Sequence, residues 1–378
     1  MKKIILYSVS ALGIVLLSLS IFVVLTGRTY LFEAVKLMKA GIYDYKIFDN
    51  RTIHAQYPQE LPNSKDYNKI PLSEKLIKEL TDNESVAFLL LRNDSVLAEQ
   101  YWNHSDTAIS GSFSMAKTIV SILTGVALKE GKIKSLDQKL GDFLPDFNSE
   151  GREKITIRHL LTMSAGTDWD ESYNSPFSIT TEAYFGKDLY KTMAGVKAQD
   201  EPGKVFRYKS GETQLLGMVL VKAVGKSLSQ YAEEKLWKPM HATKSALWSV
   251  DNPQGIEKCY CCFNATARDF ARFGLLYLHK GNWLGTQIVD TSFVEESTIP
   301  APLLDEEGKV LDHYGYKWWI AKVDNESIFY MRGILGQYIC VIPSKHLVFV
   351  RLGHKAGSKL GPHRTDFMEY LREVYKSF

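Results

Sequence analysis

Phe113-Ser114-Met115-Ala116-Lys117-Thr118 opens an apolar helical run and sets a serine and a lysine three residues apart. Residues i and i+3 share a face of a helix, so a nucleophile and a base stand one turn apart. Ala116, Ile119, Val120, Leu123, Val126 and Ala127 recur at helical period, which predicts a helix over Ser114–Glu130, stopped by Gly131. A serine hydroxyl is a weak nucleophile until a neighbour takes its proton. Lysine does this only in its neutral form, which burial or nearby positive potential favours. A helix N-terminus also directs N–H groups at a developing oxyanion. Ser114 is the only serine in the chain with lysine at i+3.

Composition bounds the alternatives. The 378 residues are 45% hydrophobic and 24% charged, enough apolar content for one large domain or two modest ones. A net charge of +3 without a basic, aromatic-interleaved stripe gives no ground for nucleic-acid binding. No Gly-x-Ser-x-Gly elbow and no His-Glu-x-x-His motif occurs. The four cysteines are Cys259, Cys261, Cys262 and Cys340. They read as small buried thiols, with a bridge to Cys340 left open and no histidine at zinc spacing. No cofactor and no metal are expected.

Lys2 and Lys3 precede an uncharged, Leu/Ile/Val-rich run over 4–27. A bilayer needs roughly 20 such residues, so 1–27 is expected to be a single-pass transmembrane anchor. Positive charge before the run places the body outside. The run is long for a signal peptide and lacks a small-x-small end, so an uncleaved anchor is expected. Residues 28–72 then read as a membrane-proximal connector wrapping the body.

The body, 73–378, opens with a predicted hairpin, Ser85–Arg92 and Ser95–Trp102, turned at Asn93-Asp94. Strand patterns return at 316–323, 327–332, 338–343 and 346–352, and a terminal amphipathic helix is expected over about 362–376. Strands at both ends with helices between them imply an α/β fold. One antiparallel sheet, from about 84–112 and 310–378, carries helices, and a mostly helical insertion spans about 113–285.

Several segments in order then resemble one superfamily. Phe113–Thr118 is similar to its first motif, and Ile155-Thr-Ile-Arg-His-Leu-Leu-Thr-Met-Ser-Ala-Gly166 is similar to a stretch typical of one branch. Phe206-Arg207-Tyr208-Lys209-Ser210 resembles its second motif, and Thr266-Ala267-Arg268-Asp269 with Arg272-Phe273-Gly274 is a further familiar stretch. The chain resembles the serine β-lactamase and penicillin-binding-protein superfamily, most of all the class C-like esterases and the 6-aminohexanoate-dimer hydrolase type. That resemblance implies the β-lactamase/transpeptidase-like fold, with Ser114 acylated, Lys117 its partner in proton transfer, and Tyr208 the second member of the base. It also implies an oxyanion hole from the N–H groups of Ser114 and Ile334, with Gly333 lining the cleft and Ser210 in place of the more usual Asn. Trp169 and Tyr173 lie in a loop that borders the cleft, where they either shape a pocket or brace the loop.

The third motif departs from the pattern. Family members carry Lys-Thr-Gly or His-x-Gly, whereas this chain has Met331-Arg332-Gly333. Strand alternation points Arg332 away from the face of Met331. The lost cation weakens a D,D-peptidase or weak β-lactamase reading and favours a hydrolase of esters or small linear amides. The protein is expected at a bacterial inner membrane with its catalytic domain on the extracytoplasmic side. A non-catalytic binding or sensor protein on this scaffold is the alternative of another class; it has no need of Ser114, Lys117 and Tyr208 together.

Overall fold

A computed structural model describes residues 2–37 and 39–378 and, within the first helix, the side chains of Tyr7, Ser8 and residues 13–25. Ser85–Arg92 is buried along all but its last residue, which makes it an interior strand. Asn93 and Asp94 both take positive φ, the backbone of a tight two-residue hairpin turn, and lead into Ser95–Tyr101. The six-stranded sheet runs Ser95–Tyr101, Ser85–Arg92, Leu347–Gly353, Gln337–Ile342, Glu326–Gly333, Trp319–Val323, antiparallel throughout.

Alternation along these strands sorts two cores. Tyr338, Cys340 and Ile342 face the C-terminal helix Thr365–Ser377, where Phe367 stacks on Tyr330 at 3.8 Å. Ile339 and Val341 face the other way, toward Phe270 and Phe273 of helix Ala267–Leu278 and toward helix Met115–Lys129. Two-sided burial is why these strands read as apolar runs.

The N- and C-terminal strands thus form one sheet, as expected, and a second sheet joins it. The stretch 113–285 carries short strands among its helices. Ala246–Ser249 and Phe263–Ala265 form the middle of a second, four-stranded sheet, with Ser110–Gly111 at one edge. The other edge is Asn50–Ile53, so the region 28–72 contributes a strand to the body as well as linking to it. These strands are two to four residues long, too short for alternation to register in the sequence.

The expected anchor falls on the helix Lys2–Leu25. Among the described residues no helix is long and apolar enough to cross a membrane. The described side chains of 13–25 cover only about 20 Å of helix against a hydrocarbon core of about 30 Å.

The cysteines also differ from expectation. Cys261 and Cys262 are bonded to each other, while Cys259 and Cys340 are buried free thiols. Cys340 belongs to the core under the C-terminal helix and Cys261 and Cys262 to the opposite core, so the sheet separates them.

Candidate active site

Ser114 stands at the N-cap of helix Met115–Lys129, and the residue before it, Phe113, takes φ +44°. A buried aromatic in the left-handed region is a strained backbone held by its surroundings. Here the holding contacts are Ser112 N–H to the Phe263 carbonyl at 2.8 Å and Gly111 N–H to the Ile42 carbonyl at 2.8 Å. This turn presents the hydroxyl to the cleft. Lys117, 1% exposed, donates from Nζ to Ser114 Oγ at 2.6 Å and to the Tyr260 carbonyl at 3.0 Å.

Tyr208 precedes helix Ser210–Val224 by two residues. Its ring centroid lies 5.0 Å from Lys117 Nζ, and its flanks pack on Trp319 and Tyr314. The hydroxyl makes no hydrogen bond with Ser114 or Lys117 among the described residues. The Ile155–Gly166 stretch earns its regularity by holding this segment. Arg207 N–H donates to the Met163 carbonyl at 2.8 Å, and Gly203 N–H to the Ser164 carbonyl at 2.8 Å.

Gly333 lies against the nucleophile turn, where a Cβ would overlap the Ser112 carbonyl oxygen. That close approach requires glycine. Met331 is fully buried and points into the core on the face of the Ser114 helix. Arg332 alternates to the opposite face, stacks over Trp319 at 3.3 Å and donates to the Pro362 carbonyl at 2.7 Å. It nonetheless lines the cleft, because Tyr208 packs on the same Trp319 and the two side chains share the smaller cavity with Ser114.

Two cavities meet at Ser114. The larger, about 470 Å³, is bounded in part by Tyr173, Ser210, Tyr260, Cys261 and Ile334. The smaller, about 170 Å³, is bounded by Tyr173, Tyr208, Arg332, Gly333 and Ile334 among others. Trp169 reaches neither. It is buried against Gly211, where any Cβ would collide with its ring, so it braces the loop.

Three groups escaped the sequence reading. Glu171 accepts from both Ser210 N–H and Ser210 Oγ at 2.6 Å and also from the Tyr173 hydroxyl. No local pattern marks it, because the partner that ties it to the site, Ser210, lies on another element. Lys317 and Glu212 are both fully buried. Lys317 interrupts the aromatic run Tyr314–Trp319, a legible signal of buried charge, whereas Glu212 stands among the polar residues Ser210, Thr213 and Gln214 and gives none. Thr118 Oγ1 and Ser121 Oγ on the Ser114 helix donate to the carbonyls of Lys317 and Tyr316. Lys317 Nζ has no hydrogen-bond partner among the described residues.

Burial raises Glu212 from 4.5 to about 7, against the pull of Lys317, and burial lowers Lys317 from 10.5 to about 7. Glu212 binds its proton more firmly folded than unfolded. Its contribution to stability is complete below pH 4.5 and is lost as pH rises through about 7. Lys317 binds its proton less firmly folded. Its contribution is complete above pH 10.5 and is lost as pH falls through about 7. The pair therefore supports the fold least near neutrality. Melting temperatures followed from pH 7 to 10 are expected to rise less in Lys317→Met than in the wild type. Parallel curves would show that Lys317 does not titrate in this window.

The comparisons with known proteins bear on the family and the fold. The family model described as Beta-lactamase matches residues 74–371. The 6-aminohexanoate-dimer hydrolase of Paenarthrobacter ureafaciens is 25% identical over 301 residues, covering 74% of each chain. A solved structure from Bacillus anthracis, provisionally named a 6-aminohexanoate-dimer hydrolase, superposes with a TM-score of 0.78 at 21% identity. It covers 89% of this chain and 91% of that one. A family VIII carboxylesterase superposes at 0.65 with 17% identity, over 84% of this chain and 99% of that one. At such identities the two superpositions speak for the fold alone. The family match spans both strand-bearing ends and the Ser114–Lys117 helix between them: the chain belongs to the β-lactamase family and is a serine hydrolase.

Proposed function

We propose that this hydrolase is membrane-anchored through Lys2–Leu25, faces the extracytoplasmic side, and cleaves an ester or small linear amide through an acyl-enzyme on Ser114. The observation that carries the reading is the 2.6 Å contact between Ser114 Oγ and a fully buried lysine whose second partner is the Tyr260 carbonyl. In the neutral amine, one N–H keeps the Tyr260 carbonyl while the lone pair accepts the Ser114 proton. The Ser114 Oγ–carbonyl carbon bond forms, and the oxyanion is met by the N–H groups of Ser114 and Ile334 at the positive end of the helix. The bond to the leaving oxygen or nitrogen breaks as Tyr208, beside Lys117 and on the smaller cavity, passes it a proton. Water then attacks the acyl carbon by the reverse relay, the acid departs, and Ser114 Oγ regains its hydrogen. The Tyr208 hydroxyl closes this relay when substrate is bound, since catalytic hydrogen bonds tighten in the complex.

A D,D-peptidase or weak β-lactamase is the second reading. Arg332 favours it, by placing a guanidinium on the smaller cavity; Met331 in the core weighs against it.

Treating the full chain with a fluorophosphonate and, separately, a labelled penicillin tests both readings. Fluorophosphonate labelling that Ser114→Ala abolishes, without penicillin labelling, is the expected result. Penicillin acylation of Ser114 would move the assignment to the second reading, and labelling by neither would remove the first. Carbonate extraction of membranes, with protease access from outside the cell, tests the anchor and its orientation.

A further inference from the structure

The larger cavity is walled in part by the segment that follows the first helix. Ala34 and Ala40 line it together with Phe113, Pro176, Phe185 and Leu335. Helix Tyr30–Leu37 carries Ala34 and packs on helix Ile179–Phe185 across the cavity roof. The arm is fixed in place by body contacts. Ile42 is fully buried and its carbonyl holds Gly111 N–H, while Asp44 accepts from Gly41 N–H at 2.9 Å and from the Tyr184 hydroxyl at 2.8 Å. Among the side chains lining the cavity, Lys39 is the only charged one, and it is exposed. Around the same arm and loop, Phe32, Val35 and Phe177 are exposed apolar side chains.

The two cavities also have different chemistry. Tyr208, the proton donor to the leaving group in the reading above, lines only the smaller one. The leaving group therefore lies on that side, and the acyl portion of the substrate extends into the larger.

Resting on the hydrolase reading above, we infer that the substrate is an ester or amide of an apolar acyl chain, and that the arm 30–42 completes the acyl pocket. A space of about 470 Å³ falls within the range of small-molecule pockets and accommodates a chain of medium length. A fully buried methylene adds about fourfold to binding, so chain length is the sensitive variable.

The test uses the full chain in phosphatidylcholine vesicles with p-nitrophenyl acetate, butyrate and octanoate. From acetate to octanoate, kcat/KM is expected to rise at least 30-fold. Ala40→Phe and Ala34→Phe, which fill the pocket from the arm, are each expected to cut the octanoate-to-acetate ratio at least tenfold. Because the readout is a ratio within one preparation, partial misfolding of either variant does not imitate it. Dioctanoylglycerol supplied within the vesicles separates the sources of the chain. Its cleavage places the chain in the bilayer, and cleavage of the soluble octanoate alone places it in water; both support the pocket. A flat chain-length profile in protein that a fluorophosphonate still labels at Ser114 overturns the acyl pocket and leaves the hydrolase reading standing. Absence of labelling overturns both.

Discussion

Lys117→Met is expected to lower kcat by about three to four orders of magnitude while leaving the melting temperature unchanged or raised. The two effects separate if, as proposed, the lysine serves the reaction and not the fold. Its Nζ has two oxygen partners, Ser114 Oγ and the Tyr260 carbonyl, and no carboxylate partner among the described residues. Removing an amine from such a position costs the fold little, since a buried polar group without full compensation is itself unfavourable. On the proposed mechanism it costs the reaction its proton acceptor, and the KM of a small ester is expected to change by less than a few fold. Steady-state kinetics beside thermal melts measure both. A variant retaining a tenth of the wild-type kcat would show that another group takes the Ser114 proton.

Asp269→Ala is expected to destabilise the protein by about 3–5 kcal/mol, the largest stability effect of any single exchange in this molecule that we foresee. Asp269 is fully buried and paired with the equally buried Arg272 at 2.9 Å. It also accepts from Thr243 N–H at 2.8 Å, from Lys244 N–H at 3.1 Å and from Thr266 Oγ1 at 3.0 Å. Alanine leaves a buried guanidinium without its counter-charge and strips several donors of their acceptor. Thr266 caps helix Ala267–Leu278, whose apolar face lies on the large sheet, so the loss reaches the sheet as well. Denaturant unfolding gives the figure directly. A loss under about 1 kcal/mol would mean that water enters and solvates the exposed guanidinium.

This network also explains how a recognisable stretch can be legible without its purpose being so. Thr266-Ala267-Arg268-Asp269 stands out in the sequence near the candidate site, yet its carboxylate is structural. The Ser114–Lys117 pair was readable because both partners lie on one helix, where spacing alone fixes proximity. The hairpin turned at Asn93-Asp94 was readable for the same reason, since turn chemistry is local. Glu171 joins the site through its contacts with Ser210 on a distant element, which no periodicity reports. Arg332 is the instructive case. Alternation correctly turned it away from Met331, but only the packing of Tyr208 and Arg332 on one Trp319 shows that the turned-away side chain still lines the cleft.

The arm 30–42 ties two quantities together that are independent in most tethered enzymes. With the proposed anchor ending at Leu25, residues 26–41 reach at most roughly 60 Å even fully extended, and the helix Tyr30–Leu37 shortens that further. Ala34, Lys39 and Ala40 within this segment wall the large cavity, and the chain continues through Asp44–Lys46 into the edge strand Asn50–Ile53. Lengthening the leash by insertion here would pull on the wall, and cutting at residue 74, where the family match begins, would remove wall, leash and edge strand at once. On the proposed reading, the reach of Ser114 from the lipid surface and the shape of its pocket are a single inherited trait, unable to drift apart.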